Sequence, residues 1–210
     1  MFDTQSLNVV QIDPAEDPII THIASDVDIQ HPVYADYLIG KFIVAREFEK
    51  RYPGYPVEIV EQHDDQSIII ISRAESKRPD GVIRVCFDGK NGLPITDYVS
   101  SEYEALKAQG QHLAEVGRMF AEPQSGAYPY LIACVYQLAL HYDIDCYLIQ
   151  IRTKNLELYK NVFGAVVLEE TMPCDGCTHM AWHIGRTPKR FHRWYPVHTI
   201  QMNGFLGGEA

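Results

Sequence analysis

The stretch Asn155-Leu-Glu-Leu-Tyr-Lys-Asn-Val-Phe-Gly-Ala-Val-Val-Leu168 carries the clearest fold signal in the chain. Asn155 is a typical helix N-cap and Gly164 is typical of a helix end, so a helix is predicted over residues 155–162. The apolar residues that follow predict a strand over 165–169. Many α/β proteins contain such a helix-to-strand unit, and the segment therefore indicates a sheet with helices packed on it.

Similar units flank this segment. Residues 113–120, 146–151 and 179–184 are apolar runs typical of strands, and a long helix is predicted over about 128–142, after the turn at 123–126. A strand, a crossover helix and a second strand require two parallel neighbours in the sheet. The sequence therefore predicts a mixed sheet flanked by helices.

The first half of the chain predicts one helix and several antiparallel strands. Apolar residues recur with a helical period from Pro32 to about Pro53. Strands are predicted over 18–23, 57–60, 67–73 and 82–87, with turns at 63–66 and 79–81 and a short helix over 101–109 capped by Ser101. Residues 68–71 lack polar alternation, so their strand should be buried on both faces.

The predicted class is thus α/β or α+β, with a mostly antiparallel sheet in a single domain covering 1–210. Residues 1–30 are expected to be an extended lead-in, and residues 186–210 a basic and aromatic tail.

Composition excludes several classes of protein. The chain has 210 residues, 46% of them hydrophobic, and 18 Lys and Arg against 28 Asp and Glu give a formal net charge of −10. This charge argues against general nucleic-acid binding. Apolar stretches are shorter than the roughly 18 residues of a membrane span and no signal peptide is apparent, so we expect a cytoplasmic protein. The odd count of five cysteines favours reduced thiols.

The segment from Asn155 to Gly164, with Tyr159 inside its helix, resembles the final helix-to-strand element of the GCN5-related N-acyltransferase superfamily. The strand over 113–120 and the turn Gln124-Ser125-Gly126-Ala127 resemble the element where that superfamily binds an acyl thioester. The resemblance implies a sheet splayed in the middle and backbone amides that hold phosphopantetheine. The superfamily's turn usually has Arg or Gln, two residues, Gly, one residue and then Gly or Ala. This turn departs from that pattern, which favours a grip on pantetheine over a full coenzyme A pyrophosphate site.

A closer resemblance is carried by Glu115-Val-Gly-Arg118-Met119 together with Arg84. Acyl-homoserine-lactone synthases have a similar Glu and Arg pattern, and bacterial long-chain N-acyl amino acid synthases look similar from Tyr34 to Gly185. Gly117 stands where the lactone synthases have a hydroxyl residue. The chain therefore resembles the N-acyl amino acid synthases more.

The same residues can be interpreted without a family. Glu115 and Arg118 would point to opposite faces of a regular strand, and a bulge at Gly117 would turn both toward one cleft. Alternatively, either residue could simply form a structural ion pair with Arg84 or with a neighbouring acid.

For an acyl transfer, Glu115 is the predicted general base. Backbone N–H groups near Met119 and Phe120 would stabilise the oxyanion, and Arg118 and Arg84 would orient an amino-acid carboxylate or lock Glu115 in position. Tyr159 would return a proton to the departing thiolate, or would only pack under the sheet edge.

Further candidates surround this centre. The resemblance assigns one set of residues to thioester binding and a second set to acceptor binding. The thioester set is Met119, Phe120, Gln124, Ser125, Gly126, Ala127 and Asn155, and the acceptor set is Arg84, Arg46 and Phe48. Helical spacing also explains Phe48 as a core residue. Leu131, Val135 and Leu138 could line an acyl tunnel or belong to the core.

The C-terminal part contains Cys174, Cys177, His179 and His183, which raises the question of zinc. However, Asp175-Gly176 is a strong hairpin turn that explains the cysteine spacing, and two histidines four residues apart on a strand do not converge easily. We expect no metal.

A compact basic segment follows, with aromatic residues between its charges. It contains Arg186, Lys189, Arg190 and Arg193. In an otherwise acidic protein this segment is the predicted docking site for acyl carrier protein, which is itself acidic. The alternative is a solvated tail whose arginines pair with the protein's own acids.

Together these observations predict an N-acyltransferase that moves a fatty acyl group from acyl carrier protein, or from acyl-CoA, to the amino group of an amino acid or small amine. No tightly bound cofactor is expected. The alternatives are an autoinducer synthase and a noncatalytic acyl-thioester-binding sensor.

Overall fold

The computed structural model describes residues 19–23, 32–51, 53, 62–63, 66–73, 79–168 and 176–195. Within these residues seven strands form one sheet in the order β1-β2-β3-β4-β5-β7-β6. The strands are β1 (Ile19–Ile23), β2 (Ser67–Arg73), β3 (Pro79–Phe87), β4 (Leu113–Ala121), β5 (Cys146–Arg152), β6 (Val166–Val167) and β7 (Cys177–His183). β4 and β5 are parallel and the other pairs are antiparallel, so the predicted mixed, mostly antiparallel sheet is confirmed.

Helices cover both faces of this sheet. They are α1 (Pro32–Arg51), α2 (Thr96–Ala108), α3 (Ala127–His141), α4 (Leu156–Leu158) and α5 (Phe191–Trp194). A 3₁₀ turn, Thr153–Asn155, precedes α4 and a π turn, Tyr159–Phe163, follows it.

The core lies in two layers, one on each face of the sheet. α3 packs with Ile68 and Ile70 of β2 on one face, whereas α1 packs with Ile69 and Ile71 on the other. All four isoleucines are buried, which confirms the prediction that this strand is covered on both sides. α2 covers the α1 face further along the sheet, above β4, β5 and β7.

Some predicted boundaries are wrong. α2 begins at Thr96 rather than at Ser101, with a break in its helical backbone at Val99, and the Ser101 hydroxyl donates to Glu102 instead of capping the helix. Residues 79–81 belong to β3 rather than to a turn, because proline is tolerated at the first residue of a strand. The predicted strand over 57–60 lies outside the described residues.

β4 and β5 pair only along the first part of β4. The parallel ladder runs from Leu113 opposite Cys146 to Val116 opposite Ile149. Beyond that point β4 pairs with β3 alone among the described strands. The sheet is therefore open between β4 and β5 from residue 117 onward.

A β-bulge lies where this opening begins. Arg84 faces Gly117 and Val82 faces Phe120, so β4 has one more residue than β3 in this interval. Arg118 adopts a left-handed backbone with φ +52°. The predicted bulge is thus present, but its extra residue lies at Arg118 and Met119 rather than at Gly117.

Candidate active site

A buried ion pair lies on the face of the sheet that α1 and α2 cover. Nη2 of Arg84 on β3 lies 3.3 Å from Oε1 of Glu115 on β4, and the two residues are 2% and 8% exposed. The backbone N–H of Ile95, just before α2, donates to Oε2 of Glu115 at 2.6 Å. This ion pair agrees both with the predicted positioning role of Arg84 and with the alternative of a purely structural ion pair.

Burial sets the acid–base character of Glu115. Desolvation raises the pKa of this carboxyl, while the positive charge of Arg84 and the N–H of Ile95 oppose the rise. A carboxylate offers about four lone-pair positions, so these contacts leave Glu115 able to accept a proton. A carboxylate of raised pKa is a stronger base than an exposed one.

Gly117 provides the space in which the Glu115 carboxylate lies. A Cβ atom at Gly117 would be 3.0 Å from Oε1 of Glu115. The absence of a side chain at this position thus allows the carboxylate to lie over the strand at the point where the sheet opens.

The bulge turns Arg118 toward the same face of the sheet. Its guanidinium carbon lies 5.2 Å from the centre of the Phe48 ring on α1, and its charge acts on the pKa of Glu115. Arg84, Glu115, Arg118 and Phe48 are thus brought together. Arg46 is not, because its side chain is exposed and its Nε lies 3.1 Å from the Glu47 carboxylate.

The turn before α3 is built by its own side chains. Gln124 and Gly126 have left-handed backbones, and the Ser125 hydroxyl accepts a hydrogen bond from the N–H of Ala127 and donates one to the carbonyl of Glu122. Pro129 carries no N–H. The first turn of α3 therefore offers few amides, which agrees with a site that grips pantetheine more than a pyrophosphate.

Tyr159 lies among other tyrosines. Its ring stacks on Phe163, and its hydroxyl and that of Tyr195 are both hydrogen-bonded to the hydroxyl of Tyr128 on α3. Desolvation by burial raises the pKa of Tyr159.

Asn155 occupies the N-cap position of α4, but its side chain is exposed and makes no capping hydrogen bond, so the predicted cap is wrong.

A family model described as N-acyl amino acid synthase FeeM matches residues 36–184. The chain belongs to this family. The resemblance noted from Glu115, Arg118 and Arg84 is thereby confirmed, and the protein is an acyltransferase.

Solved structures show the same fold. FeeM itself, an N-acyl amino acid synthase from uncultured soil microbes, superposes on 81% of this chain and 93% of its own, with a TM-score of 0.62 and 19% identity. BjaI, a CoA-dependent acyl-homoserine lactone synthase, covers 86% of this chain and 88% of its own, at TM-score 0.59 and 16% identity. The acyl-homoserine lactone synthase LasI covers 85% and 95%, at TM-score 0.55 and 13% identity.

The search of curated proteins returned no significant match. In the part of the chain that the structure describes, no helix combines the length and the apolar character needed to cross a membrane.

The basic segment runs along α3, with Phe191 and His192 against Tyr136 and with Tyr195 near Tyr128 at the helix start. Phe191 and Tyr195 are buried, and the Tyr195 ring lies 6.0 Å from that of Tyr128. The four predicted docking residues are all exposed: Arg186, Lys189, Arg190 and Arg193. The adjacent Trp194 is 67% exposed.

The remaining candidates are the cysteines and the apolar residues of α3. Cys86, Cys134, Cys146 and Cys177 form no disulfide with one another, and Cys174 lies outside the described residues. No group of three potential metal ligands occurs among the described residues. The apolar residues that could line an acyl tunnel are buried residues of α3 and belong to the core: Leu131, Val135 and Leu138.

Sequence reasoning missed three residues of this site. Tyr128 and Tyr195 surround the Tyr159 hydroxyl, and Ile95 binds Glu115 through its backbone. The sequence does not reveal these residues. A backbone contact is independent of residue type, and the three tyrosines are far apart along the chain.

Proposed function

We propose that this synthase transfers a fatty acyl group from acyl carrier protein to the amino group of an amino acid. The observation that carries the proposal is the opening between β4 and β5, which begins beside a buried Glu115. An acyl thioester entering this opening would meet an amine held on the Glu115 side.

The acceptor is placed on the face covered by α1 and α2. Its amine gives a proton to Glu115, directly or through one water, and its nitrogen attacks the thioester carbonyl. Arg118 would attract the carboxylate of the amino acid. Arg84 stays paired with Glu115 and keeps that carboxylate at the opening.

The donor is placed on the other side. As the carbonyl oxygen becomes negative, backbone N–H groups at Met119 and Phe120, where β4 has left β5, would stabilise it. The carbon–sulfur bond then breaks, and the thiolate takes a proton from Tyr159. Tyr128, which interacts with the Tyr159 hydroxyl, would relay a replacement proton from solvent to Tyr159.

Two features favour a carrier protein over coenzyme A as donor. The first turn of α3 is poor in amides because of Ser125 and Pro129, so it offers little to a pyrophosphate. The exposed end of the basic segment at Arg193 approaches that turn through the contact between Tyr195 and Tyr128, and an acidic carrier would dock there.

The reaction is tested by incubating the purified protein with acyl carrier protein and CoA thioesters and with all the amino acids. An N-acyl amino acid identified by mass spectrometry is the expected product. A lactone formed from S-adenosylmethionine would instead make the protein an autoinducer synthase. No product from any combination would refute the proposed transfer.

The docking site is tested by charge reversal. Arg190→Glu with Arg193→Glu should raise KM for acyl carrier protein about tenfold at low salt, because steering charges act mainly on association. KM for a short acyl-pantetheine should not change. Lys50→Glu with Lys90→Glu, elsewhere on the surface, is the matched control. Equal effects of both double variants would contradict docking at this segment.

A further inference from the structure

His179 on β7 is a buried residue with an unused hydrogen-bonding atom. It is 2% exposed, and its Nε2 has no hydrogen-bond partner among the described residues. Its ring stacks on Tyr98 of α2, with centroids 5.5 Å apart and planes 12° from parallel. A buried polar atom without a partner costs about 1–3 kcal/mol, so such an atom points to a ligand when it lies in a cleft.

The strand register places His179 on the same face of the sheet as Glu115. Glu115 faces Leu148 on β5, and Leu148 faces Ala181 on β7. His179 is two residues from Ala181 and faces Gln150, so all these side chains share one face. Stacking on Tyr98 agrees, because α2 covers that face.

The position of His179 along β7 is level with the end of the β4–β5 ladder. Gln150 and His179 lie just past Ile149, where the β4–β5 ladder ends. β7 is two strands from β4, a separation of about 10 Å or more once β4 diverges. The Glu115 and His179 side chains each cover part of this distance, and a long acceptor side chain could span the rest when its amine is at Glu115.

We propose that His179 Nε2 binds a neutral polar group, a hydroxyl or a carboxamide, on the side chain of the acceptor amino acid. This inference rests on the proposed acyl transfer and adds the class of acceptor. His179 is a positioning residue here, and Glu115 remains the base.

The chemistry of the site favours a neutral group. Burial lowers the pKa of His179, so its imidazole is uncharged at neutral pH. In a neutral imidazole Nε2 either donates or accepts, according to the tautomer. A hydroxyl or a carboxamide suits both tautomers, whereas an ammonium group suits only an accepting nitrogen and a carboxylate only a donating one.

The test uses matched acceptors with long side chains that differ in one polar group: tyrosine against phenylalanine, and glutamine against methionine. For at least one pair, wild type should favour the polar member in kcat/KM by about tenfold or more, since its absence leaves Nε2 unpaired. His179→Phe keeps a flat ring against Tyr98 and should reduce that ratio to about one. His183→Phe, on the same strand and face but outside the opening, should keep the wild-type ratio.

The outcomes separate the two proposals. Transfer with no polar preference in wild type, or with the same preference in His179→Phe, overturns the role of His179 and leaves the acyl transfer standing. No transfer to any amino acid overturns the acyl transfer and, with it, this inference.

A second measurement does not depend on the variants. A crystal structure of the wild-type protein with the preferred acceptor should place a side-chain oxygen or nitrogen of that acceptor within about 3.2 Å of His179 Nε2. An acceptor bound at Glu115 with its side chain directed away from His179 would overturn the inference.

Discussion

The two halves of β4 differ although they form one strand. Residues 113–116 pair with β5, residues 114–116 also pair with β3, and Leu113, Ala114 and Glu115 are buried. Residues 117–121 keep only β3 as a described partner, and all of them are half-buried. The change occurs between Val116 and Gly117, and Gly117 is two residues from Glu115.

We infer that the paired half of β4 mainly stabilises the fold, whereas the open half mainly serves the reaction. The paired half contributes buried apolar contacts and a continuous hydrogen-bond ladder, which stabilise the fold. The open half loses one ladder, and the edge of β4 that is left unpaired with β5 begins near a buried carboxylate. Substitutions in the first half should therefore lower stability, whereas substitutions at the junction should lower the rate.

The largest effect is expected from Leu113→Ala in the paired half. Leu113 is buried against α2, and removing its side chain should lower the free energy of unfolding by about 3 kcal/mol. Activity per folded molecule should stay unchanged. Urea unfolding followed by circular dichroism measures the loss, and Leu140→Ala, at an exposed position on α3, is the control. Equal losses in both variants would argue against a paired, buried first half.

Glu115→Gln comes next, at the junction. It should reduce kcat/KM about a hundredfold, because the amide cannot accept the amine proton. The exposed Glu104→Gln on α2 should have no effect. Wild-type turnover by Glu115→Gln would remove Glu115 from the mechanism.

The pH profile gives an independent measure of the same assignment. The base acts only when it is ionised, and burial raises the pKa of Glu115. The wild-type rate should therefore fall with decreasing pH at a higher pH than an exposed glutamate would cause. The Glu115→Gln profile should lack this acid limb.

The paired half could be predicted from sequence because its burial is regular. Apolar runs located β2, β4 and β5 to within a residue or two, since a strand buried on both faces has few polar residues. Helix ends were harder. α2 begins at Thr96 without a side-chain cap, so no residue type marks its start.

The open half could be predicted only in part. Glu115, Arg118 and Arg84 were recognisable as a set, and a glycine between the first two suggested a bulge. The glycine nevertheless serves to make room for the carboxylate, while Arg118 takes the left-handed backbone. Residue type alone does not predict that Arg118 rather than Gly117 has the positive φ. A non-glycine residue adopts a positive φ only where neighbouring contacts compensate for the strain.

Gly117→Ala tests the room for the carboxylate. The added Cβ would lie 3.0 Å from Oε1 of Glu115, so the carboxylate must shift by a few tenths of an ångström. We expect kcat/KM to fall about tenfold, since small displacements of a base are costly, with less than about 1 kcal/mol lost in stability. Gly185→Ala, where a Cβ meets nothing within 4 Å, is the control. An unaffected rate in Gly117→Ala would mean that the carboxylate position is not critical.

The smallest effect is expected from comparing Arg118→Gly with Arg118→Ala. Both variants lose the guanidinium and its contact with Phe48, so both should lose activity to the same extent. They differ only in backbone freedom at φ +52°, which glycine adopts readily and alanine does not. Arg118→Gly should therefore be more stable than Arg118→Ala by about 1 kcal/mol in urea unfolding. In a regular strand the order would be reversed, because glycine weakens a strand. The sign of this difference thus reports directly whether β4 bulges at Arg118, and whether the bulge sets the boundary between its paired and open halves.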